Sequence, residues 1–238
     1  MVKMDLRKQI KLFYFIVAFD LMLLAAVAAA VVGGSPVREN DYLKTSLKSD
    51  PHGCSKTVAL TFDDGPNRKY TERLLDGLRR RGIKASFFLV GECIHGNEEL
   101  VRKMKADGHL IGVHCMEHKD LTREETDKAC RQIMETATLI EDLTGEKPEY
   151  VRPPFGKWSE DLEEYIPFKP VFWSVDSIDW KLRNETQIVN RVMKAVGDGD
   201  IILLHDEFSE SVSAALRIID NLLAKGYTFV TIDELMID

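Results

Sequence analysis

The chain has 238 residues, is 45% hydrophobic and 30% charged, and carries a formal net charge of −7. Its first 35 residues hold four basic and two acidic side chains, so the rest is more acidic than the whole. Such a domain is ill suited to neutralising phosphates, which argues against nucleic acid as a partner.

Lys3, Arg7, Lys8 and Lys11 precede an apolar stretch, Leu12 to Val32, whose one charge is Asp20. About 20 apolar residues cross a bilayer, and a basic N-terminal flank keeps that end in the cytoplasm. The expectation is a basic tip with a signal-anchor over residues 1–34, spanning about 12–32, and an exported remainder on the outer face of the membrane. Cleavage as a signal peptide is the alternative, since Ala28-Ala29-Ala30 supplies small residues, although the run exceeds the roughly 7–15 residues of a signal core. Residues 35–55 read as a linker and 56–238 as one domain. Cys54, Cys93, Cys115 and Cys130 show no Cys-x-x-Cys spacing, which sets aside a structural zinc knuckle and leaves both disulfides and free thiols open.

Within the domain, strands are expected at 57–62, 85–90, 110–113, 149–151, 171–175, 200–204 and 227–230. Helical patterns lie at 70–81, 97–107, 122–144, 159–165, 185–197 and 211–225, with Gly82, Gly108, Gly145 and Gly226 at helix ends. Alternation of this kind predicts parallel strands joined by crossover helices, an α/β fold. No Gly-x-Gly-x-x-Gly follows the first strand, so a dinucleotide-binding sheet is set aside. Seven strands are few for a regular eight-fold barrel, and a short or irregular barrel with its site at the strand C-termini is expected.

Five motifs stand at those strand ends. The first is Thr61-Phe62-Asp63-Asp64-Gly65-Pro66, two carboxylates where an apolar strand turns sharply. Neighbouring strand side chains face opposite ways, so the two acids converge only if the backbone bends there; a helix-capping acid is the plainer reading. The second is His109, His114 and His118. His114 and His118 stand four apart, which on one helical turn would put both imidazoles on one metal ion; two surface histidines is the plainer reading. Two imidazoles and a carboxylate with water completing the shell suit a hydrolytic zinc site. Asp64 is the expected third ligand, leaving Asp63 as a base beside the bound water, and His109 is read as structural.

The third motif, Arg152-Pro153-Pro154-Phe155-Gly156, is a rigid loop. It offers a fixed cation for a carboxylate such as Asp63 and a Phe155 N–H able to face an oxyanion. In the fourth, Phe172 to Trp180, an acid beside a Trp can wall a sugar pocket, while Trp173 is read as core. The fifth, Ile201 to Asp206, sets His205 at the end of an apolar strand, where Asp179 could raise its pKa and make it a general acid; capping the strand is the alternative. Residues 206–211, with 91–98 and 157–168, are read as loops that would choose the substrate.

Together and in this order, the five motifs resemble the polysaccharide deacetylase family, the NodB-homology domains of carbohydrate esterase family four, over roughly residues 56–236. The resemblance implies a distorted (β/α)7 barrel. It also implies metal-dependent removal of N-acetyl groups from N-acetylglucosamine-type units of a polymer, with release of acetate. Asp63 then matches the catalytic base, and Asp64, His114 and His118 the ligands of a divalent metal, Zn2+ first and Co2+, Ni2+ or Mn2+ as alternatives. Arg152 matches the arginine that orients the base, and Phe155, beside Pro154, the oxyanion donor. Asp179 and Trp180 match the acid that tunes the catalytic histidine and the pocket wall. Leu203 matches the acetyl-pocket leucine and His205 the general acid. Two positions depart from the pattern: Cys115 stands where Ser or Thr is usual, and Phe155 where Tyr is common. An exported, tethered domain would meet peptidoglycan first, ahead of chitin-like oligomers. The alternatives are a non-catalytic carbohydrate-binding wall protein on the same fold, or an esterase for O-acetyl groups of xylan.

Overall fold

The computed structural model describes residues 56–236; the expected membrane span and the linker lie outside them. Among the described residues no helix is long and apolar enough to cross a membrane. The first strand, β1 (Thr57–Asp63), is buried along almost its whole length, as befits a parallel strand covered on both faces. It is followed by α1 (Thr71–Arg81), β2 (Ser86–Leu89), α2 (Gly91–Ile94), α3 (Glu98–Ala106) and β3 (Leu110–Val113). Next come α4 (Thr126–Thr144), β4 (Tyr150–Val151), α5 (Glu160–Tyr165), β5 (Lys169–Pro170) and β6 (Val175–Asp176). The chain ends with α6 (Asp179–Leu182), α7 (Glu185–Ala195), β7 (Asp200–His205), α8 (Ser209–Ala224), β8 (Thr228–Val230) and α9 (Ile232–Leu235). Left-handed glycines close α1 and α4: Gly82 with φ 64° and Gly145 with φ 72°, a conformation glycine adopts without steric cost.

Every strand pairing is parallel, in the order β5-β4-β3-β2-β1-β7-β6, with β8 joined to β1 beside Thr57 to Ala59. The eight strands curl into a distorted (β/α) barrel of seven staves, one of which, expected as a single strand at 171–175, is divided into β5 and β6. Residues before it pair with β4 through Lys169 and Pro170, while Val175 and Asp176 pair with β7. Between them the chain crosses from one partner to the other, as Val171 N–H donates to Val151 and Ser174 N–H to Ile201. The division has a local cause: the carbonyls of Val171 and Phe172 accept from the Arg152 side chain instead of from a neighbouring strand. Core residues from the strands and from α1, α3, α4, α7 and α8 form a large apolar cluster, and Ala59, Phe88, Tyr150, Val171 and Ile232 form a second, smaller one.

Candidate active site

The site lies at the C-terminal ends of β1, β3, β4 and β7. Asp63 is the last residue of β1, in register with Phe88 and His205. Asp64 then adopts φ 72°, a region that L-residues other than glycine rarely enter. That bend lets two consecutive carboxylates converge. Cys115, His118, Phe155 and Ile178 also have positive φ, so strained backbone gathers where the chemistry-bearing residues are.

His114 and His118 both reach Asp64, their Nε2 atoms lying 3.3 and 3.2 Å from its Oδ1. They do so without the helical turn their spacing suggests. Residues 114–118 form a non-helical loop in which His118 has φ 49°, and this irregular path carries the second imidazole back to the first. The loop is held by Cys115, whose buried sulfur faces the backbone N–H groups of Lys119, Glu117 and His118. Burial raises its pKa, so it stays a thiol, and it takes the hydrogen-bonding part that a hydroxyl would play. Cys93, Cys115 and Cys130 are free thiols.

The donor set fits a divalent cation. The ligating atoms of Asp64, His114 and His118 lie within 4.8 Å of one another. His114 Nδ1 is 2.6 Å from the carbonyl oxygen of Arg152, so the proton of the neutral ring sits on Nδ1 and Nε2 turns a lone pair towards Asp64. Asp64 Oδ1, buried between two imidazoles, has no hydrogen-bond partner. Burial alone would raise the Asp64 pKa, but the surrounding imidazoles of His114, His205 and His118 lower it to about 2, so the group is a carboxylate. A carboxylate oxygen and imidazole lone pairs pointed at one another are stable together when a cation lies among them.

Asp63 faces a different partner. Arg152 is fully buried and donates through Nη1 to Asp63 Oδ1 at 2.9 Å and to Thr61 Oγ1 at 2.6 Å. Nε and Nη2 reach the carbonyls of Val171 and Phe172, and the guanidinium stacks on Phe88 with its carbon 4.2 Å from the ring centre. Burial works to lower the Arg152 pKa and Asp63 opposes it. Asp63 Oδ2 remains on the side of His114, 3.9 Å from Nε2.

His205 ends β7, and its Nδ1 is 2.6 Å from Asp179 Oδ1. Asp179 Oδ2 accepts the His205 backbone N–H, and Oδ1 also accepts from Trp180 N–H. Burial disfavours the charged imidazole, but the bond and charge of Asp179, with Asp63 and Asp64, win and raise the His205 pKa to about 9. Asp179 is likewise penalised by burial yet lowered by His205.

Phe155 is 59% exposed and sits edge-on to His118, with ring centres 4.7 Å apart. Pro154 is buried in the tight turn Pro154–Gly156 that presents it. Trp180 is exposed beside Asp179, and Leu203 is buried in β7 beside Thr61 and Asp176. Trp173, read as core, is half-buried: it lies between β5 and β6, where the chain leaves the sheet. Its indole packs near Gly156 and 5.8 Å from the Arg152 guanidinium. His109 stands apart, its Nδ1 accepting from Ala85 N–H at the other end of the sheet.

The sequence reading missed Asp206. Assigned to a substrate loop, it is instead fully buried, with Oδ2 bound to the Thr71 hydroxyl. Its signal was its place directly after His205, at the end of a continuous apolar strand.

The sequence pattern described as polysaccharide deacetylase matches residues 50–167. Peptidoglycan-N-acetylglucosamine deacetylase PgdA of Listeria monocytogenes is 38% identical over 197 residues, covering 82% of this chain and 42% of that protein. The chain thus spans less than half the length of that relative. A peptidoglycan-N-acetylglucosamine deacetylase of Bacillus cereus is 35% identical over 189 residues, covering 76% of this chain and 88% of that one. The solved structure of peptidoglycan deacetylase PdaC from Bacillus subtilis superimposes with a TM-score of 0.75 at 40% identity, over 76% of this chain and 90% of that one. Fold, strand-end motifs and relatives agree, and the chain belongs to the polysaccharide deacetylase family.

Proposed function

We propose that this chain removes acetyl groups from the N-acetylglucosamine units of peptidoglycan, with chitin-like oligomers as a second substrate. The observation that carries the reading is the division of two adjacent carboxylates. Asp64 is aimed at two imidazoles and Asp63 is clamped by Arg152, while a charged His205 faces them both. Asp64, His114 and His118 would hold a divalent ion, Zn2+ by the preference of such a donor set, which polarises the amide carbonyl and makes water nucleophilic near neutral pH.

Asp63 is the base. With Oδ1 tied to Arg152, Oδ2 takes the proton of the attacking water, and Arg152 keeps the carboxylate oriented. The Phe155 N–H, in its rigid proline turn, supports the oxyanion that forms as water adds to the carbonyl. His205, oriented through Nδ1 by Asp179, donates a proton from Nε2 to the leaving nitrogen as the C–N bond breaks. The products are a free amino sugar and acetate. Phe155 and Trp180 offer exposed rings to sugar faces, and Leu203 an apolar contact for the acetyl methyl.

The expected address is the outer face of the membrane, through residues 12–32, where peptidoglycan is the polymer at hand. Relatives named for peptidoglycan deacetylation support that choice. Mass spectrometry of acetate loss tests it on peptidoglycan fragments, chitin oligomers and acetyl-xylan, with and without a chelator. Chelator-sensitive loss from peptidoglycan fragments at the highest rate is expected. Activity on acetyl-xylan alone, or none on any substrate, would replace this reading with an O-acetyl esterase or a binding protein.

A further inference from the structure

Asp63, Asp179 and Asp206 are the buried acids among the described residues, and the reaction outlined above uses only the first two. Asp206 Oδ2 accepts from Thr71 Oγ1, and the same hydroxyl accepts from the backbone N–H of Asn67 at 2.7 Å. Asp206 Oδ1 has no hydrogen-bond partner, and the carboxyl occupies the space where a side chain of Gly65 would project. A β-carbon on Gly65 would stand 2.5 Å from Oδ1 and 2.6 Å from Oδ2, closer than such atoms approach. From the other side, the Gly65 carbonyl accepts Val90 N–H at 3.0 Å. The turn that follows Asp64 is therefore gripped between β2's end and the Asp206 carboxyl. Burial raises the pKa of that carboxyl to about 7 against the pull of the Thr71 bond, so the group is kept there at a cost.

We propose that Asp206 is a positioning residue that, by pressing on Gly65 and hooking Thr71, holds the turn that aims the Asp64 carboxylate at His114 and His118. This rests on the metal site proposed above. Asp64 sits at φ 72°, a conformation that is strained for an L-residue and persists only where its surroundings enforce it. The enforcing group is Asp206, and the residue it packs on has no side chain because none fits. His205, one residue away on the same strand end, is fixed in the same stroke relative to Asp64.

The test is the Zn2+ affinity of the metal-stripped full chain, by competition with a chromophoric chelator, in variants whose folding is checked by circular dichroism. Gly65→Ala is expected to weaken binding by about tenfold or more, in the range seen when groups that orient metal ligands are removed. Asp206→Ala should weaken it similarly, whereas Asp206→Asn, whose amide oxygen can still accept from Thr71, should stay within about threefold of wild type. The double variant Gly65→Ala/Asp206→Ala should bind better than Gly65→Ala alone, because the new methyl enters the space the carboxyl leaves. A merely structural Asp206 would make the double variant no better than the single, and that result, or wild-type affinity in Gly65→Ala, overturns the proposal. Should Asp206→Ala not fold, Thr71→Val carries the same expected loss and Thr71→Ser the recovery. Wild-type chain that binds no Zn2+ would overturn the metal site itself, whereas tight wild-type binding with unchanged variants overturns only the role of Asp206.

Discussion

The two ends of the sheet each hold a histidine largely withdrawn from solvent, and their surroundings drive the two rings in opposite directions. At the N-terminal end of β3, His109 offers Nδ1 to a backbone N–H and packs edge-on to Phe87; burial, only partly opposed by Asp107, lowers its pKa to about 4. At the C-terminal end of β7, His205 is mostly covered as well, yet the carboxylate of Asp179 on Nδ1 reverses the outcome to about 9. The same ring in the same kind of strand-end position is an inert acceptor in one case and a held proton in the other. The group across Nδ1 decides which.

The strongest way to break this contrast is to disable the reactive end while leaving its shape. Asp63→Asn should lower kcat by on the order of 10³-fold or more, with Zn2+ affinity nearly unchanged, measured by acetate release and metal competition. Asp179→Asn should leave burial of His205 opposed only by the charges of Asp63 and Asp64. The imidazole pKa in the metal-free chain, followed by NMR, should fall from about 9 to below its ordinary 6.5, and kcat should fall by roughly 10²–10³-fold. A pKa that stays high would show that Asp63 and Asp64, not Asp179, hold the proton.

Stability against pH sharpens the contrast without touching turnover. His205 has a folded pKa above its unfolded value, so its contribution is fully present below about 6.5 and is lost as pH rises through about 9. For His109 the folded pKa is depressed, so its contribution is present above about 6.5 and is lost as pH falls towards 4. Denaturant midpoints of Asp179→Asn and His109→Gln, measured from pH 4 to 9, should each lose one side of this profile. The smallest effect belongs to His109→Leu, which leaves the buried N–H of Ala85 without its acceptor. It should cost about 1–3 kcal/mol of stability while kcat per folded molecule stays at the wild-type level.

Much of this was legible in the sequence because Asp63, Asp64, His114, Arg152 and His205 sit at or directly after a strand end, where a parallel α/β fold gathers its chemistry. The apolar runs before Asp63, Asp64, Arg152 and His205 put these residues at strand ends, and only the five motifs taken together set the plainer readings aside. What stayed hidden depended on backbone paths that pattern does not encode. The four-residue spacing of His114 and His118 suggested a helical turn, yet the convergence is made by a loop with positive φ. The run 171–175 looked like one strand, and only the Arg152 side chain, from a stave away, divides it. Asp206 looked like a solvent-facing loop acid because nothing local announces that Thr71, 135 residues earlier, will cover it.

The divided stave has a further consequence for anyone reshaping the cleft. Through one planar cation, Arg152 ties the wall segment Val171–Phe172 to the base Asp63. Wall and base therefore form one mechanical part, and neither can be tuned alone. Widening the groove at Phe172 or Trp173 to admit a bulkier sugar would pull on the guanidinium and swing the carboxylate that receives the proton. Libraries aimed at new polymers would do better to leave residues 171–173 unvaried and to treat them as part of the catalytic apparatus.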